Sequence, residues 1–186
     1  MCIRDRFQTL TWGESPTQVD YGLIYRQRFP ILRRAVSRLS IKRPQELADF
    51  CRTQQEWLEP YAQFMAFKDY YDGAPWSQWP DPIRLRQPQA VEELSGELAD
   101  SILFWKGVQF LFFAQWKALK EYANSQGISI IGDLPIYVAS DSADVWANPQ
   151  QFQLDEDLCP TEVAGCPPDG FSEDGQLWGN PLFDWE

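Results

Sequence analysis

Three aspartates, Asp133, Asp141 and Asp144, follow a β-branched run within I-I-G-D-L-P-I-Y-V-A-S-D-S-A-D-V-W, residues 130–146. Carboxylates so placed can transfer protons, accept hydrogen bonds from a substrate, or only cap turns. Asp133 closes the apolar run Ile128–Ile131, so Ile128–Asp133 reads as a strand with the carboxylate at its C-terminal end. In parallel α/β architectures that end carries the ligand site. Position alone leaves two roles for Asp133 open, an active-site group or a carboxylate capping loop amides. By contrast, D-S-A-D before Val145 and Trp146 reads as a helix start, with Asp141 or Ser142 as N-cap. Farther on, G-C-P-P-D-G-F-S-E-D-G-Q-L-W-G-N-P-L-F-D-W intersperses aromatics with Asp, Gln and Asn and contains no basic residue. Flat rings stack on sugar rings, and amides and carboxylates match sugar hydroxyls. The mixture points to a neutral polyol over a phosphate, although turns also collect these residues.

Bulk properties narrow the chemistry further. With a formal net charge of −11, the chain is poorly suited to nucleic acid or an anionic membrane, both of which recruit Lys and Arg. There is no His, which excludes imidazole acid/base chemistry, His-based triads and His metal sites within these residues. Cys2, Cys51, Cys159 and Cys166 form no C-x2-C pair. Cys159 and Cys166 could bridge in an oxidising compartment, but free thiols in a reducing cytoplasm are the expectation. The most apolar stretch, Ile102–Trp116, is interrupted by Lys106, Gln109 and Gln115 and falls short of a membrane span. Without a secretory h-region at the start, a cytoplasmic location is expected.

The elements that must position these groups are mostly helical. The opening M-C-I-R-D-R resembles a prefix on gene models from assembled reads, and residues 1–6 are set aside. Residues 13–22 read as loop. A basic amphipathic helix is expected over Phe29–Leu39, and another opening near Pro44. A third helix spans 56–71, with Pro60 in its first turn and Asp72-Gly73 closing it. Next comes a proline-studded connector carrying Trp76 and Trp79. Residues 88–124 form the clearest helical region, broken near Ser95-Gly96, and apolar on most faces. Such a helix is expected to lie buried between neighbours, its aromatics serving as core and not as a ligand box. After Gly127 the strand follows at once, the mark of a βα unit in a parallel sheet. Residues 147–186 read as a long, loop-like segment, and ordered loops of that length tend to be functional.

The motifs G-D-L-P-I-Y-V-A-x-D-S-A-D-V-W-A-N-P and V-A-G-x-P-P-D-x-F-S-x-x-G-Q-L-W-G-N-P-L-x-D-W resemble the 4-alpha-glucanotransferases, also called amylomaltases or disproportionating enzymes. V-D-Y-G, E-W-L-E-x-Y-A-x-F-M-A-x-K, P-W-x-x-W-P and Q-W-x-A-L-K-x-Y-A extend the likeness upstream, so that it covers about Phe7–Glu186. The resemblance implies a partial (β/α)8 TIM barrel of the alpha-amylase clan, truncated at both ends, with residues 7–100 a helical insertion and 101–186 a barrel segment. That segment would comprise a helix, the third strand Ile128–Asp133 and a substrate-binding loop. The implied activity is transfer of an alpha-1,4-glucan segment to the 4-hydroxyl of glucose or a maltooligosaccharide acceptor. The family's mechanism is retaining and uses no metal or organic cofactor. Retention requires a nucleophile and an acid/base about 5–5.5 Å apart. By this resemblance Asp133 supports the active site, and Asp133, Asp169, Phe171, Gln176 and Trp178 contact substrate. The nucleophile Asp, the acid/base Glu and the third Asp are expected beyond Glu186, so that no catalytic carboxylate lies in this chain. One departure is Gly170, where many members carry Tyr and so a stacking face. A glucan hydrolase of the same clan and a non-catalytic glucan-binding module are the alternatives.

Overall fold

The computed structural model describes residues 8–10, 13, 15 and 17–185; the 1–6 prefix and Cys2 lie outside them. Helix α1 is Tyr21–Lys42 and α2 is Pro44–Thr53. Helix α3 is Gln55–Tyr70, α4 is the short Asp81–Arg84 and α5 is Pro88–Glu97. Helix α6 is Ala99–Ser125, and α7 is the single turn Ala143–Ala147. Strands β1 (Val163–Cys166) and β2 (Gln176–Pro181) complete the order.

Most starts and stops follow local chemistry. Pro44 occupies the first position of α2, where its missing N–H is not needed. Helix α3 ends where Asp72 and Gly73 take φ of 53° and 79°, and the Gly73 N–H bonds back to the Lys68 carbonyl at 2.8 Å. Pro60 is the sixth residue of α3, a little deeper than the first turn that its chemistry favours. Helix α1 begins well before the expected Phe29, inside the segment read as loop. Asp20 caps it, its carboxylate accepting the Leu23 N–H at 2.8 Å. The early turns of α1 escaped the periodicity because Tyr21 and Tyr25 are exposed and face no core. The break in the 88–124 region falls at Leu98, between α5 and α6, not at Ser95-Gly96.

The core gathers α3, the Trp76–Trp79 connector, α7 and the first half of α6. Phe64, Phe67, Trp79 and Trp146 form one aromatic knot, with ring centroids 5.4–6.2 Å apart and Trp146 only 1% exposed. Buried indoles need acceptors, and each finds one. Trp146 Nε1 donates to the Ile83 carbonyl at 3.0 Å, Trp79 Nε1 to Ala74 at 3.0 Å, and Trp105 Nε1 to Asp69 Oδ2 at 3.0 Å. At Gly107, α6 comes so close to α1 that an added Cβ would lie 2.5 Å from Val36 Cγ1.

Two expectations are corrected. The second half of α6 is only partly enclosed: Phe113 meets Phe50 and Trp57, but Phe112, Trp116, Leu119 and Tyr122 are 42–66% exposed. Nor do residues 128–133 form a strand ladder. Ile131 is 94% exposed, and the only sheet among the described residues is the two-stranded β1–β2 ribbon. An extended apolar run becomes a strand only when neighbours accept its backbone groups, and no described residue pairs with this one.

Candidate functional site

The tail read as loop is folded as an antiparallel ribbon. β1 pairs with β2 through Gly165↔Leu177 and Cys166↔Gln176, with an irregularity between Val163 and Gly165. Bridges Phe152↔Phe183 and Leu154↔Pro160 extend the pairing toward α7. Phe152 is buried in the core and stacks on Phe183 at 4.9 Å, which roots the ribbon in the helical body. At its far end the chain turns over P-P-D-G-F-S-E-D-G. Gly175 is required there: its φ is 73°, and a Cβ would meet the Cys166 carbonyl oxygen at 2.5 Å.

The five residues singled out from the sequence fall into three places. Asp169 organises the turn, its Oδ1 accepting the Phe171 and Ser172 N–H groups, both at 2.8 Å. This is an Asx-type turn, and it holds Phe171 at the tip with 97% of its surface open. On β2, Gln176 and Trp178 are two residues apart and share a face. Gln176 Oε1 accepts the Trp178 indole N–H at 3.0 Å, fixing the ring, which is half exposed. Asp133 stands apart, exposed and without a hydrogen-bond partner among the described residues. The structure thus brings Gln176 and Trp178 into contact and places Asp169 and Phe171 together at the tip.

Sequence reasoning missed the groups that join these places. The Trp178 ring packs against Tyr137, centroid to centroid 6.1 Å and tilted by 51°, so β2 meets the segment that follows Asp133. Asn180 Nδ2 donates to the Val138 carbonyl at 2.7 Å, and Ser140 Oγ donates to Gly179 O at 3.3 Å. Simple alternation along β2 does not reach Asn180, because Gly179 at a φ of 77° interrupts the extended backbone. Nothing local marks Tyr137, whose partner Trp178 lies far along the chain. The competing caps resolve in favour of Ser142, whose Oγ accepts the Val145 N–H at 3.4 Å. Asp141 turns instead to the helical body, pairing with Lys68 and the Trp76 N–H.

What this face can do chemically is bind. It offers a half-exposed indole, a phenol, a free phenylalanine ring, amides and carboxylates. No Lys or Arg occurs after Lys120, so a phosphate would meet no cation of the ribbon.

Comparison with known proteins points to one family. The family model described as 4-alpha-glucanotransferase matches residues 4–186. A 4-alpha-glucanotransferase of Clostridium butyricum is 43% identical over 183 residues, which are 98% of this chain and 38% of that protein. One from Thermus thermophilus is 49% identical over 91% of this chain and 35% of its own length. The solved amylomaltase from Streptococcus agalactiae in complex with acarbose superposes with a TM-score of 0.91 at 39% identity, covering 98% of this chain and 37% of that one. The chain thus spans a little over a third of the length of these three relatives. The chain belongs to the 4-alpha-glucanotransferase family.

Proposed function

We propose that this chain supplies the glucan-holding face of an enzyme that moves alpha-1,4-glucan segments onto the 4-hydroxyl of glucose or a maltooligosaccharide, with retention. The observation that carries this reading is the Gln176–Trp178–Tyr137 cluster: a fixed, half-exposed indole beside a phenol, on a stretch of chain without Lys or Arg. An indole presents a flat apolar face for the C–H side of a glucose ring, while neighbouring amides and carboxylates exchange hydrogen bonds with its hydroxyls. Asp169 holds the turn that presents Phe171, a second apolar surface for the same chain of sugars. With Gly170 in place of an aromatic, the tip offers a single ring there.

In this reading residues 7–100 are a helical insertion and 101–186 a segment of a (β/α)8 barrel. Ile128–Asp133 takes its place as the third strand when flanking strands are present, and Asp133 then stands at the strand's ligand end. The carboxylates that break and remake the glycosidic bond lie outside these residues. The setting is cytoplasmic, in keeping with Cys51, Cys159 and Cys166 as free thiols and with no described helix long and apolar enough to cross a membrane.

Titration of the chain with maltoheptaose, followed by tryptophan fluorescence, tests the binding claim. The expected result is saturable binding that weakens about tenfold, roughly 1.4 kcal/mol, in Trp178→Ala. Equal affinity in the variant would refute it. Incubation with maltotriose tests the catalytic claim. This polypeptide alone is expected to release neither glucose nor longer maltodextrins above the buffer rate.

A further inference from the structure

The segment 137–141 is stitched on both sides. Toward the ribbon, Val138 O accepts Asn180 Nδ2 at 2.7 Å and Ser140 Oγ donates to Gly179 O at 3.3 Å. Toward the helical body, Ser140 O accepts the Trp76 indole N–H at 2.7 Å, and Asp141 Oδ1 accepts the Trp76 backbone N–H at 3.2 Å. Asp141 Oδ2 takes the Lys68 ammonium at 2.5 Å, and Lys68 also reaches the Ala74 carbonyl at 3.4 Å. Lys68 is partly sheltered, its side chain 24% exposed, while Asp141 lies nearer solvent at 39%. Lys68 sits in the last turn of α3, where a cation suits the helix dipole. Upstream, residues 128–136 are exposed and unpaired, so no ladder fixes where Tyr137 stands.

From this geometry we infer that Lys68 and Asp141 are positioning residues, a clasp that sets the Tyr137–Trp178 ring pair against the helical body. Asp141 is the group through which a charge on α3 holds the backbone that carries Tyr137. Neither side chain needs to touch a sugar; each acts through the ring pair. The ligand consequence rests on the glucan reading above, whereas the ring geometry does not.

Fluorine NMR of the chain labelled with 5-fluorotryptophan separates the two. The Trp178 resonance is assigned by its loss in Trp178→Phe, and Trp105 serves as a core control. Asp141→Asn keeps an oxygen for the Trp76 N–H but removes the charge. It is expected to shift or broaden the Trp178 resonance while leaving Trp105 in place. Lys68→Gln should do the same, the double variant no more than either single one, and Lys68→Arg should restore the wild-type position. Because the pair can be opened from either side, one folded variant suffices for a decision. An unmoved Trp178 resonance in a folded variant overturns the clasp. In parallel, maltoheptaose affinity should fall about fivefold in Asp141→Asn. If the wild-type chain binds no maltoheptaose, the glucan reading fails, and the fluorine spectra still judge the clasp.

Discussion

Replacing Gly107 by alanine tests a close contact between helices α1 and α6. Gly107 lies on the buried half of α6, and its added Cβ would stand 2.5 Å from Val36 Cγ1, 2.8 Å from Cγ2 and 3.2 Å from Cβ. Valine within a helix has essentially one rotamer, so its methyl groups cannot swing aside. Helices α1 and α6 must part by several tenths of an ångström instead. Overpacking of this kind costs about 1–3 kcal/mol. Alanine returns up to about 1 kcal/mol of helix propensity, which leaves a net loss of about 1 kcal/mol and a fall in Tm of about 2–4 °C at this chain length. Val36, 4% exposed, is expected to cost about 2 kcal/mol when cut to alanine, from two lost methyl groups and the space left behind. The double variant is the decisive one: the new methyl fills the space vacated by Val36. Its loss should be smaller than the sum of the single losses by about 1 kcal/mol. Urea unfolding followed by circular dichroism measures all three. Additivity within about 0.4 kcal/mol, or stabilisation by Gly107→Ala, would refute the packing argument.

Trp146→Ala empties the centre of the aromatic knot and should cost about 3–5 kcal/mol in the same assay; a loss below 1 kcal/mol would contradict its placement. Burial pushes the Tyr61 phenol above its ordinary value, with a Gln109 hydrogen bond opposing in part. A folded pKa above the unfolded one means that this stabilisation is complete below about pH 10 and is lost as pH rises through the folded value. Tyr61→Phe should therefore unfold less steeply above that pH, and identical alkaline slopes would exclude the effect. Burial likewise raises the Cys51 thiol, whereas Cys159 is exposed. Iodoacetamide labelling with peptide mapping should find Cys159 modified well before Cys51, and the reverse order would contradict the structure.

Local chemistry was legible wherever it acts within a few residues. Pro44, Asp72-Gly73 and Ser142 mark their helix ends by capping and turn preferences that tertiary contacts did not overrule. The early turns of α1 were missed because exposed tyrosines carry no apolar period, although Asp20 was a readable cap. The 128–133 run was read as a strand because its residues are β-branched, but pairing is a property of neighbours. The same holds for Phe112, Trp116, Leu119 and Tyr122, whose apolar pattern promises a cover that the described residues provide only at Phe113. At the candidate site, the residue types of the tail pointed only to a neutral polyol, and it was the family resemblance that named Asp169, Phe171, Gln176 and Trp178. What they could not disclose is long-range: the Tyr137 ring against Trp178, and Asp141 reaching Lys68 rather than its own helix.

The central claim is that one face, Tyr137 with the 169–180 turn and strand, holds a glucan. Hydrogen exchange of the chain with and without saturating maltoheptaose tests it most directly. The account predicts slowed exchange confined to peptides covering 137–141 and 169–180, with α1 and α2 unchanged. Protection on the exposed half of α6 in place of that face, or none anywhere, would contradict it.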